Sequence, residues 1–95
     1  MPPKDKTFDL ALELHRAGRH DEAMRTCRKL LRRKPTHHRA LGLFAHAALE
    51  TGQLAQAREA AERLATLRPD DVAGWNLRGR VALLEGDAET AHAVQ

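Results

Sequence analysis

The punctuation of this chain returns every 34 residues. Gly18, Gly52 and Gly86 are spaced by 34, as are Ala23, Ala57 and Ala91, and the pairs Pro35/Pro69 and Leu30/Leu64 keep the same interval. Several residue types recurring at one interval restrict the chain to architectures in which a supersecondary unit stacks on copies of itself. Each glycine stands where one stretch of helical spacing stops and another starts, in Arg16-Ala-Gly-Arg-His-Asp-Glu-Ala, Glu50-Thr-Gly-Gln-Leu-Ala-Gln-Ala and Leu84-Glu-Gly-Asp-Ala-Glu-Thr-Ala. Glycine takes the left-handed conformation that ends a helix, and proline disfavours helix at the residue before it.

This punctuation predicts six helices. They are expected over Asp5–Ala17, Asp21–Lys34, His37–Thr51, Leu54–Leu67 and Asp71–Glu85, with a sixth starting near Asp87 after a break at Gly86. Asp21, Glu22, Asp87 and Glu89 put negative charge in first turns, where the helix dipole favours it. Thr36 and either Asp70 or Asp71 are the expected N-caps. Ala23, Cys27, Leu30 and Leu31 in the second helix, and Ala57, Ala60, Ala61, Leu64 and Leu67 in the fourth, follow helical spacing and read as core stripes.

Composition agrees with an all-α fold. Tyr and Ile are absent, and the aromatics are Phe8, Phe44 and Trp75, so the β-branched and aromatic content that strands favour is scarce. The lone Cys27 cannot form an internal disulfide, which fits a reducing compartment. No apolar run reaches the length of a membrane span, and the start, Met-Pro-Pro-Lys-Asp-Lys, lacks the apolar stretch of a signal peptide. A soluble, cytoplasmic protein is expected, and the richness in Ala, Arg and Leu points to a bacterial source. Charge is uneven: up to Arg39 eleven Lys/Arg stand against five Asp/Glu, and from Ala40 onward five stand against eight.

The period and the residues resemble the tetratricopeptide repeat family, whose pattern reads W-x2-L-G-x2-Y, then A-x3-F, then P. Trp75 and Gly79 match its first part, with Arg78 and Ala82 in the Leu and Tyr places; Leu41, Phe44, Ala45 and Ala48 occupy the same four places one unit earlier, and Thr7, Leu10, Ala11 and Leu14 two units earlier. Cys27 and Ala61 stand where Phe is common. The resemblance implies a right-handed superhelical stack of antiparallel helix pairs, a single domain over 1–95 with repeats 4–37 and 38–71 and a partial repeat 72–95. It also implies a concave face, lined by the first helix of each unit, that binds a partner peptide. Carried over by position, that face is expected to show Phe8, Asp9, Leu12 and Arg16, then Arg39, Leu43, His46 and Glu50, then Asn76, Arg80 and Leu83. Such a mixture suits a protein or peptide with apolar anchors and acidic residues. The carboxylate clamp that some members use on chaperone tails is not expected, because its places hold Phe8, Leu12, Leu43, Ala73 and Leu77. The chain stops inside its third unit without a polar cap, so it is expected to be a piece of a longer protein and to self-associate through its open C-terminal end.

Other chemistry finds little support. Arg25, Arg28, Lys29, Arg32, Arg33 and Lys34 form a basic stretch, but it falls on the polar face near a helix C-terminus, where cations suit the dipole, and no nucleic acid is expected as partner. No two of His15, His20, His37, His38, His46 and His92 stand at the i, i+4 spacing that converges two ligands, so no metal site is expected. Cys27 on the core stripe reads as inert, and neither His15 nor His46 has an organised partner. No catalytic residue and no cofactor are expected. The competing readings are an accessory N-terminal repeat segment of a larger enzyme, such as a transferase, and a self-assembly element.

Overall fold

The computed structural model describes the backbone of residues 6–93 and the side chains of residues 6–86. Five helices follow one another: α1 (Thr7–Arg16), α2 (His20–Arg33), α3 (His38–Glu50), α4 (Leu54–Leu67) and α5 (Val72–Ala93). Each packs against its chain neighbours. The all-α architecture of stacked helix pairs is the one the 34-residue interval predicts.

The turns explain the interval. At the end of α1, Gly18 has φ +82°, its N–H donates to the His15 carbonyl, and the Arg19 N–H donates to the Leu14 carbonyl. At the end of α3, Gly52 has φ +74° and the same two bonds run from Gly52 to Leu49 and from Gln53 to Ala48. This double closure satisfies the last helical carbonyls and needs a left-handed residue, which glycine adopts without a side-chain clash. The proline turns match as well. Lys34 and Arg68 leave the helical conformation ahead of their prolines, and His37 and Asp71 then donate backbone N–H groups to the Lys34 and Arg68 carbonyls, closing turns with proline in the second place.

Two expectations, the Thr36 cap and the break at Gly86, are corrected, and the choice between Asp70 and Asp71 is resolved. The α3 cap is His37, whose Nδ1 accepts the Ala40 N–H at 3.1 Å; Thr36 sits inside the proline turn instead. For α5 it is Asp71, not Asp70, that accepts the Ala73 N–H, at 2.9 Å. The expected break at Gly86 is absent: α5 runs through it as one helix to Ala93. Glycine permits a left-handed turn but does not impose one, and Gly86 lies among residues that tolerate or favour helix. The side chains of Ala91 and His92 lie outside the described residues.

The core is built from small residues. Ala11, Ala23, Ala45 and Ala57 are fully buried, with Leu30, Leu41, Leu64, Leu77 and Val81 around them. The odd helices form one layer, α1 touching α3 and α3 touching α5, while no Cα of α2 lies within 8 Å of one of α4. The stack is therefore closed on the side of α1, α3 and α5 and splayed on the side of α2 and α4, which is curvature. Positions that α3 buries are open on α5: Leu41 is 1% exposed, whereas Trp75, one period on, is 49% exposed. Gly79, Arg78 and Ala82 are exposed too, although their counterparts Ala45, Phe44 and Ala48 are buried.

Two glycines of α5 predict opposite responses to one substitution. A Cβ on Gly74 would stand 2.7 Å from the Ala65 nitrogen and 2.8 Å from its Cα, so Gly74→Ala must push α4 and α5 apart. It is expected to destabilise the fold by about 1–3 kcal/mol despite better helix propensity. A Cβ on Gly79 meets nothing within 4 Å. Gly79→Ala is expected to stabilise by about 1 kcal/mol, and urea unfolding of both variants checks the pair.

Candidate functional site

The face made by α1, α3 and α5 carries most of the residues expected for binding. Phe8, in the first turn of α1, is half-buried against the core, and the Arg39 guanidinium carbon lies 4.5 Å from its ring centroid. On its other contact, the His37 ring stacks on Phe8 at 5.5 Å between centroids. Arg39 remains exposed, so a cation is held over an aromatic face within reach of solvent. Leu12 is partly buried against the core, and Leu43 is 7% exposed. Leu43 thus supports the face from below more than it offers contact area. His46 and Arg80 stand exactly one repeat interval apart and meet: an Arg80 guanidinium nitrogen is 3.4 Å from His46 Nδ1. Arg16 and Asn76 are exposed. The structure joins Phe8 with Arg39 and His46 with Arg80, and among the described residues Arg16 and Asn76 make no such contact.

Sequence spacing missed one pairing here. His15 and His20 are five apart, a separation that does not align side chains on one helix, yet the glycine turn folds them together. Their Nδ1 atoms are 3.0 Å apart and their rings meet edge to face at 4.7 Å. One ring must donate and the other accept, so the contact requires at least one neutral imidazole. Burial holds the His15 pKa below the ordinary histidine value, helped by His20 and His46 and opposed by Glu50. Burial likewise lowers His46, with Arg80 adding and Glu50 opposing. His38 is lowered by burial and by Arg68.

Elsewhere the chemistry is quiet. Cys27 is 1% exposed, and burial pushes its thiol up to about 11, leaving it protonated near neutral pH. Among the described residues, no group of three or more His, Cys, Asp or Glu stands where it could hold a metal ion, and no helix is long and apolar enough to cross a membrane.

The depressed histidines predict an acid-sensitive fold. A histidine whose folded-state pKa is lowered contributes stability that is fully present above about 6.5 and is lost as the pH falls towards the lowered value, because the unfolded chain takes up the proton first. The melting temperature is expected to fall between pH 7.5 and pH 5, and His15→Asn to flatten that slope; thermal melts at several pH values check both. Asp71 acts in a separate window: its carboxyl is lowered chiefly by the Ala73 backbone hydrogen bond, so its contribution is lost only below about pH 4.

Residues 14–81 match the family model described as tetratricopeptide repeat, a span from within α1 to within α5 that covers more than half of the chain. No curated protein matches the chain. The family generally mediates protein–protein interaction. By its repeat interval, its turns and this match, the chain belongs to the tetratricopeptide repeat family.

Proposed function

We propose that this chain is a protein-interaction module that holds a peptide partner on the face formed by α1, α3 and α5. The observation that carries the reading is the pair of held cations on that face, Arg39 over Phe8 and Arg80 against His46. Guanidiniums already positioned by ring and imidazole lose less freedom when they meet a carboxylate. Phe8 and Leu12 add partly exposed apolar surface beside them. The partner is a segment with an apolar anchor flanked by acidic residues. A labelled peptide alternating glutamate and leucine tests this by fluorescence anisotropy. It is expected to bind more tightly than its lysine counterpart, more weakly as salt rises, and at least about tenfold more weakly to the Arg39→Glu/Arg80→Glu variant. Equal binding by that variant would dismiss the reading.

A second reading, self-association, is favoured by α5. Val72 is 68% exposed and Leu83 70% exposed, and Trp75 and Leu84 are exposed too, so α5 shows several apolar side chains to solvent. Burying them against a second copy removes apolar area from water. Light scattering is expected to show mass rising with concentration, and Leu83→Glu, at an exposed position, to return the chain to monomer.

A further inference from the structure

The splay between α2 and α4 opens a groove on the face opposite to the one just discussed. It encloses about 390 Å³. Its floor is Leu41 and Phe44 of α3, with Leu31 and Ala60 at the sides. Arg28 and Arg32, one turn apart on α2, form one wall, and Arg63 of α4 faces them. Glu59 is the acidic side chain among the lining residues, so the groove carries more positive than negative charge.

Two of these arginines are held in place. The Arg28 guanidinium donates to Gln56 Oε1 across the gap and lies 5.4 Å from the Phe44 ring centroid. Arg63 donates to the Pro35 carbonyl at 3.2 Å. Arg32 has no ion-pair partner among the described residues, and neither have Arg25 and Lys29 on the same helix. A second hollow of about 410 Å³ adjoins the groove, sharing Glu59 and Arg63, but Glu62 also lines it and its balance is acidic. The basic site is therefore the first groove alone, where an apolar floor between positioned guanidiniums has the charge to receive a short acidic segment.

We infer that the groove between α2 and α4 is a second docking surface, and that its occupant is an acidic peptide that sets carboxylates on Arg28, Arg32 and Arg63 and an apolar side chain against the half-buried Leu31. A nucleic acid fits less well. Phe44 is only 9% exposed and lies beneath Arg28, so it offers no open ring on which bases could stack.

The experiment uses the whole chain and a labelled peptide alternating glutamate and phenylalanine. Anisotropy measures affinity, and amide chemical shifts locate the peptide. The expected result is movement at Leu31, Gln56, Ala60 and Arg63, with binding weakened at least about tenfold by Arg28→Glu/Arg32→Glu and these shifts retained in Arg39→Glu/Arg80→Glu. Circular dichroism verifies that each variant folds, and Arg32→Ala, which removes an exposed side chain with no ion-pair partner among the described residues, is expected to weaken binding in the same direction. Shifts confined to Phe8, Leu12 and His46, with Arg28→Glu/Arg32→Glu harmless, would overturn this inference and leave the reading of the opposite face standing. Shifts confined to the groove support this inference whatever becomes of that reading. A uridine-rich RNA that displaces the peptide from the groove at lower concentration would overturn the assignment of an acidic peptide.

Discussion

Everything in this stack hangs on two glycine backbones at positive φ. At Gly18 and Gly52 the chain reverses with both closing hydrogen bonds made, so the second helix of each pair leaves at a fixed angle and lays its small residues against the first. The full burial of Ala11 and Ala23 in one pair, and of Ala45 and Ala57 in the next, follows from that angle. A bulkier side chain at those alanines would separate the helices, and a residue with a Cβ at either glycine would strain the turn. The proline turns have a different task. They place the next pair beside the last, and side chains lock them there: Arg63 donates to the Pro35 carbonyl and Trp75 Nε1 to the Pro69 carbonyl at 2.9 Å.

Much of this was legible before any coordinates, and the reason is local. α4 begins and ends where Gly52 and Pro69 bracket it, because both residues act through their own backbone and need no distant partner. Cys27 and Leu30 are buried as the stripe foretold, since 3.6-residue spacing puts them on the face that α2 turns inward. Gly86 misled because a glycine permits a left-handed turn without imposing one, and there the helix simply continues.

The sites were harder to read. The His15–His20 contact crosses a turn, so no helical spacing rule could find it. Leu43 stands at a concave position by repeat register, yet it is largely covered by its neighbours. The groove between α2 and α4 has no sequence signature at all. The basic stretch along α2 reads as a solvated face, and it gains a floor and an opposite wall only because the even helices splay while the odd ones touch. Curvature is a property of the stack, not of any residue in it.

Cys27 has a consequence of its own. It is the chain's one thiol, it is buried on the inward face of α2, and burial keeps it protonated and unreactive while the helix is seated. Modification therefore waits for α2 to lift, and its rate becomes a clock for that opening. A ligand that clamped α2 onto the stack would slow the clock, because it would add its binding energy to the cost of lifting that helix. The repeat thus carries its own reporter of how firmly α2 is seated.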